Sequence, residues 1–264
     1  MPNTSTNADD LPAYQETGSG VPVVLLHGFC GSGRYWDDVL PALSAKYRVI
    51  VPDLRGHGAS PATEGVYTME RLADDTAALL DKLNVAEAFV FGHSLGGYAT
   101  LAFAEQYPGR LLGFGLVHST PLPDTEAGRE GRLKAVDKIR AEGIRPFVDG
   151  LIPKLFAPEH RTSMADKVAA ALEIGYATSP EGAVGCSLGM RERPDRTDVL
   201  RRTGLPVLLL AGEHDEVIPP ERRFPVSKPN LSAVTLPQVG HMGMVEDPGR
   251  FTEALLAFLG NHAG

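Results

Sequence analysis

The strongest constraint on this chain is an alternation of short apolar runs with longer amphipathic segments. Val21 to Leu26, Tyr47 to Val51, Ala88 to Phe91, Leu112 to Val117 and Val207 to Ala211 each read as a buried strand. They lack strict apolar–polar alternation, as expected where both faces of a parallel sheet are covered. Between them, Arg34 to Ser44, Met69 to Leu83 and Gly97 to Gln106 carry apolar residues at helical spacing, and Phe251 to Leu259 adds a final helix. In the second of these the set is Leu72, Thr76, Leu79, Leu80 and Leu83. The pattern predicts an α/β fold, a mostly parallel wound sheet flanked by helices.

The alternation stops between about Pro121 and Arg202. That stretch is helical in pattern, with no convincing strand, and the sheet resumes at Leu205. An inserted helical cap fits, placed over the carboxyl edge of the sheet where ligands of open α/β sheets bind. The expected organisation is a core from residues 1–120 and 203–264 with a cap from 121–202.

Bulk properties narrow the partners. A chain of 264 residues, 43% hydrophobic and 22% charged, suits one globular domain with a sizeable core. A formal charge of -8 disfavours nucleic acid and anionic membrane, which both need a basic surface. Cys30 and Cys186 are too few for a disulfide scaffold and are expected as reduced thiols. Met1 to Asp10 lacks the basic start and apolar run of a signal peptide, and no stretch approaches the roughly 18 apolar residues of a membrane helix. The expectation is a soluble cytoplasmic protein, monomer or homodimer.

Gly-x-Ser-x-Gly occurs twice, at Gly92-His93-Ser94-Leu95-Gly96 and at Gly185-Cys186-Ser187-Leu188-Gly189. In a chain with 29 glycines the pentapeptide alone proves little, so its setting must decide. A nucleophile elbow needs a strand delivering the chain, a sharp strained turn and a helix leaving it. Ser94 has Phe89-Val90-Phe91 before it and a small-residue helix pattern from Gly97 to Phe103 after it. Ser187 follows Pro180 to Ala183 and precedes Arg191-Glu192-Arg193-Pro194, with no strand feeding it. Ser94 is therefore the candidate nucleophile. Ser187 is read as structural.

A serine hydroxyl needs an adjacent base, and imidazole is the usual one. Among eight histidines, His241 stands in a glycine-bounded loop near the carboxyl end, followed by the helix-starting Asp247-Pro248. His57, His118, His160, His214 and His262 lack that setting, and His93 inside the elbow is expected to point away from the reaction. The base needs a carboxylate to fix its tautomer. Asp215 sits beyond the end of the Val207 to Ala211 strand and is preferred, with Glu213 second and Glu216 third. Two backbone N–H groups should hold the oxyanion: Leu95 at a helix N-terminus, and Phe29 in His27-Gly28-Phe29-Cys30-Gly31-Ser32-Gly33.

With these residues in hand the chain resembles the α/β-hydrolase superfamily over nearly its whole length, and within it small serine carboxylesterases with a helical cap. The resemblance is carried by His27-Gly28-Phe29, the Asp53 to Ser60 loop, Gly92 to Gly97, Gly212 to Asp215 and Gly240-His241, in the family's order. It implies roles for Ser94, Asp215, His241, Phe29 and Leu95, and a structural part for the Asp53 to Ser60 loop. The expected activity is hydrolysis of a small carboxylic ester through an acyl-enzyme. Lactonase, C–C hydrolase and perhydrolase chemistry remain open, as does a slow-turnover ligand receptor on the same fold. An aspartate nucleophile, as in epoxide hydrolases and dehalogenases of this fold, is disfavoured by Ser94.

Pocket candidates are Leu122, Phe147, Leu151, Leu155, Val217 and Met242, an apolar set that suggests an uncharged acyl group. No metal-ligand spacing is visible, since His57, His93 and His118 are scattered, and Gly28, Gly31 and Gly33 do not make a dinucleotide fingerprint. No cofactor is expected.

Overall fold

A computed structural model describes residues 11–263. The expected sheet is there: β1 (Tyr14–Thr17), β2 (Pro22–Leu26), β3 (Arg48–Pro52), β4 (Ala88–His93), β5 (Leu111–Val117), β6 (Val207–Gly212) and β7 (Leu231–Leu236) form one sheet of seven strands. Their spatial order is β1-β3-β2-β4-β5-β6-β7. β1 is antiparallel to β3, and every other neighbouring pair is parallel. All six residues of β4 are buried, so the centre of the sheet is covered on both faces. That is why its sequence reads as a continuous apolar run.

Sequence patterning misses β1 and β7, which form the two edges of the sheet. β1 is exposed along its length and β7 at half of its positions, so neither needs an apolar run. The segment 34–44 is a 3-10 turn (Gly33–Trp36) followed by α1 (Leu40–Ser44), rather than one helix. Pro41 has no N–H to give an upstream carbonyl and is tolerated only in a first turn, so the helix restarts there.

The flanking helices follow from their apolar stripes. α2 (Met69–Lys82) buries Leu72, Thr76, Leu79 and Leu80, and Thr68 Oγ1 caps it by accepting the Arg71 N–H at 3.2 Å. Truncating Leu72 or Leu79 to alanine would cost about 2–5 kcal/mol at such a closed site. α3 (Leu95–Gln106) is buried over its first ten residues and packs beside α2.

Between β5 and β6 the chain forms α4 (Glu126–Glu142), α5 (Ile144–Leu151), α6 (His160–Ser163), α7 (Ala165–Tyr176), α8 (Pro180–Glu192) and α9 (Thr197–Arg202). This is the expected inserted helical region, with no strand in it among the described residues. After β6 come α10 (Pro220–Arg223), then β7, α11 (Gly243–Glu246) and α12 (Pro248–His262). Phe258 of α12 meets Phe89 and Phe91 of β4 edge to face, with centroids 6.3 and 5.8 Å apart.

Cys30 and Cys186 are free, buried thiols, and burial pushes both up. No helix among the described residues is long and apolar enough to cross a membrane. The Met1 to Asp10 segment read for a signal peptide lies outside the described residues.

Candidate active site

Ser94 stands at the junction of β4 and α3 with φ +49° and ψ −111°, a conformation rare outside glycine. Such backbone costs of the order of 1–3 kcal/mol and persists only where the surroundings enforce it. They do so here. The Ser94 N–H donates to Val117 O (2.9 Å), and its carbonyl accepts from Gly97 N (2.9 Å), Tyr98 N (3.2 Å) and Ser119 Oγ (2.8 Å). A Cβ on Gly92 would lie 2.1 Å from Gly96 O, so the turn closes only with glycine at that position. The turn leaves Ser94 half-buried above the sheet's carboxyl edge.

His241 and Asp215 meet in the interior. The His241 Nδ1–H donates to Asp215 Oδ2 at 2.8 Å, with both side chains at most 2% exposed. Asp215 Oδ1 accepts the N–H groups of Val217 (2.8 Å) and Ile218 (3.0 Å). Burial acts to raise the Asp215 carboxyl, but the His241 ring beside it holds it far below the usual carboxylate range. The acid is ionised and aimed at one imidazole nitrogen. The other two candidate acids are engaged elsewhere: Glu213 accepts from Gln238 N (3.0 Å) and Glu216 pairs with Arg161, both exposed.

Several groups to which the sequence reading gave no supporting role hold this pair. Glu246 in α11 is buried and accepts from Gly240 N (3.1 Å) and Met242 N (3.0 Å), the residues on either side of His241. The same carboxylate accepts from Ala157 N (2.9 Å) and His160 Nδ1 (2.7 Å), tying the loop to the helical insertion. His93 Nε2–H donates to His241 O at 2.9 Å, linking the elbow to the same loop. Arg223 donates to Ile218 O (2.9 Å) and Asp215 O (2.9 Å), fixing the turn that presents the acid.

The loop after β2 approaches Ser94 closely. A Cβ on Gly28 would fall 2.5 Å from His93 Nδ1 and 3.4 Å from Ser94 Cβ. Gly28 O accepts His27 Nδ1–H (2.8 Å) and Gly31 N–H (3.1 Å), while His27 Nε2 accepts Leu54 N–H (2.8 Å). Asp53 joins the far end of this loop to the 53–60 segment through Gly33 N (2.7 Å) and Ala59 N (2.8 Å). The Phe29 N–H donates to no partner among the described residues. The Leu95 N–H belongs to the first turn of α3, where amides have no intrahelical acceptor.

Two of the three histidines read as scattered, His93 and His118, come together, which corrects the sequence reading, while His57 packs on His27. His93 and His118 pack on His241 with ring centroids 4.9 and 5.8 Å away, because they end the adjacent parallel strands β4 and β5. Ligating atoms of His118, Asp215 and His241 all lie within 4.8 Å of one another. Hydrogen bonds within the protein already join this group: the His241 Nδ1–H donates to Asp215 Oδ2, and His118 Nδ1 accepts the Gly212 N–H at 3.1 Å, its 3.5 Å separation from Asp215 Oδ2 being too long for a further bond. Burial lowers His118 and holds His93 well below the usual range, so both are neutral at pH 7.

A cavity of 440 Å³ adjoins Phe29 and Tyr98 and is lined by the expected Phe147, Leu151 and Val217. Phe29 and Phe147 meet edge to face at 5.8 Å. Leu155 and Met242 instead lie in the buried core, and Leu122 reaches the region only as a carbonyl that accepts from Arg193 (3.2 Å). The lining also contains Arg132, Arg193 and Arg222, which the apolar reading did not foresee. A larger cavity of 560 Å³ lies between the 63–66 loop and helices α4 and α8, and none of the candidate site residues lines it.

The second pentapeptide lies inside α8, with Ser187 fully buried. Gly182, Gly185 and Gly189 recur at helical spacing, and a Cβ on them would meet Gly56 O at 2.3 Å, Gly65 O at 2.9 Å and Tyr67 O at 1.7 Å. These glycines let a helix press against a backbone. They make no elbow.

Residues 21–248 match the α/β hydrolase fold family. The chain is 30% identical over 252 residues to the dihydrolipoyllysine-residue acetyltransferase component of the acetoin cleaving system of Pseudomonas putida, covering 92% of this chain and 64% of that protein. Among solved structures it is similar to a malate-bound thermophilic esterase from Thermogutta terrifontis, with TM-score 0.91, 35% identity, and coverage of 95% of this chain and 93% of that one. It is also similar to the enol-lactonase from Burkholderia xenovorans LB400, with TM-score 0.88, 25% identity, and coverage of 94% and 96%. The chain belongs to the α/β-hydrolase fold family and is related to esterases and lactonases.

Proposed function

We propose that this protein is a serine hydrolase that cleaves small carboxylic esters through an acyl-enzyme. Ser94 is the nucleophile, His241 the general base and acid, and Asp215 the orienting acid. Backbone N–H groups of Phe29 and Leu95 form the oxyanion hole, and residues 121–202 act as a cap. The observation that carries this reading is the buried 2.8 Å bond from His241 Nδ1 to Asp215 Oδ2, on a loop tethered to the strained Ser94 turn through His93.

The chemistry follows from the charges. Ser94 Oγ attacks the ester carbonyl as His241 Nε2 takes its proton, and Asp215 stabilises the resulting imidazolium. Charge that builds on the carbonyl oxygen is met by preorganised amides at no reorganisation cost. His241 then returns the proton to the departing alkoxide. Water, deprotonated by the same imidazole, releases the acid and restores Ser94. Lactones, whose leaving alkoxide stays tethered to the acyl group, would react by the same steps.

Hydrolysis of short-chain nitrophenyl esters tests the proposal. Ser94→Ala should lower kcat by roughly 10⁴-fold or more. Activity surviving in that variant would overturn the assignment.

A further inference from the structure

We infer that the cavity lined by Phe29 and Tyr98 is a carboxylate subsite, so that the preferred substrate is an ester or lactone bearing a second, anionic carboxyl group. The inference rests on the serine-hydrolase reading and adds the substrate class to it.

Three guanidinium groups line the same cavity as Phe29 and Tyr98: Arg132 of α4, Arg193 just past α8, and Arg222 of α10. Asp124 is the one acidic residue in that lining. Both of its oxygens are taken, by Arg132 Nε (3.0 Å) and Arg193 Nη2 (2.8 Å). Burial acts to raise Asp124, but those two cations hold it below the usual range, so it is ionised. The lining still carries two more positive than negative charges. In a chain with a formal charge of -8, a positive cavity runs against the background.

Arg222 has capacity to spare, and Arg193 adds a charge held away from water. Among the described residues Arg222 makes no ion pair; its Nη2 donates to Pro123 O at 2.5 Å. Asp195, which feels the Arg222 charge, is turned to the Thr197 N–H (2.7 Å) and does not line the cavity. Arg193 is 7% exposed and lies over the Tyr98 ring at 3.9 Å, so water screens its charge poorly. A cation held away from water favours an anionic oxygen as its partner. A guanidinium fork matches the two oxygens of a carboxylate. The apolar wall of Phe147, Leu151 and Val217 suits the methylenes between the anion and the reacting carbonyl.

The test pairs two esters of equal chain length, monoethyl adipate and ethyl hexanoate, with ethanol release measured on the full chain. The wild type should favour the anionic ester by about tenfold or more in kcat/KM, a preference that salt weakens. Arg222→Gln should lower that ratio about tenfold, mainly through KM. Equal or reversed preference in the wild type, or equal loss on both esters in Arg222→Gln, would overturn the subsite. Calorimetry of monoethyl adipate against Ser94→Ala reads the site without turnover. Binding that disappears on adding Arg222→Gln supports the subsite, and no binding refutes it. Hydrolysis of ethyl hexanoate without preference would sink the subsite alone. Binding without hydrolysis of either ester by the wild type would sink the hydrolase reading alone.

Discussion

Glu246 brackets His241 by accepting the N–H groups of both its neighbours, Gly240 and Met242, at 3.1 and 3.0 Å. It thereby sets the position of the imidazole through the backbone. Because Ala157 N and His160 share the same carboxylate, the loop is also anchored to the helical insertion. Removing a buried, multiply bonded carboxylate should destabilise the fold by about 3 kcal/mol. Glu246→Ala should lower both Tm and kcat, and Glu246→Gln, which keeps a carbonyl acceptor, should recover part of each. Thermal melts and ester kinetics on the two variants check this; equal behaviour of Ala and Gln would contradict it.

Asp215→Asn separates geometry from charge. The amide oxygen can still accept from Val217 and Ile218, but the partner offered to His241 changes and the ring loses its tautomer control. A loss of roughly 10⁴-fold in kcat is expected, with little change in Tm. Glu213→Gln and Glu216→Gln, whose side chains are exposed and bonded elsewhere, should keep wild-type kcat.

Four buried neutral histidines make stability fall with acid. Burial lowers His27 to about 4 and His57 to about 3, and it lowers His93 and His118 as well. In the unfolded chain each titrates near its ordinary value of about 6.5, so below that pH the unfolded state binds more protons. Their stabilising contribution is therefore complete above about pH 6.5 and is lost as pH falls toward the folded values. Each histidine adds a slope of about 1.4 kcal/mol per pH unit within its window. At pH 5, His27 and His57 alone should take up about two protons on unfolding. Potentiometric titration across a denaturant transition measures this, and no uptake at pH 5 would refute it.

The second pentapeptide is a packing device, and its residues should behave as one. Ser187 Oγ is buried with no hydrogen-bond partner among the described residues, so Ser187→Ala should leave activity intact and Tm equal or higher. Gly189→Ala places a Cβ 1.7 Å from Tyr67 O and should cost about 1–3 kcal/mol in a denaturant melt.

These contrasts show what a sequence can carry. β4 and the elbow were legible because a strand buried on both faces writes a local apolar run, and a tight turn writes its glycines. Asp215, picked out by its place after β6, and His241, picked out by a glycine-bounded loop near the carboxyl end, are brought into hydrogen bond by the fold. Glu246 was not legible, because Met244-Val245-Glu246-Asp247 reads as an ordinary helix start and its acceptors' partners lie up to 89 residues away. Likewise nothing in the segments of Arg193 and Arg132 announces that the fold closes both on Asp124. His93 and His118 looked unrelated because the register that joins β4 to β5 is not written in either segment.

In the proposed mechanism Ser94 carries the acyl group. Rapid quenching during turnover of a nitrophenyl ester, followed by peptide mass analysis, tests it most directly. A mass increase of one acyl group is expected on the peptide containing Ser94, and none on the peptide containing Ser187. An acyl group elsewhere, or turnover in Ser94→Ala at the wild-type rate, would contradict it.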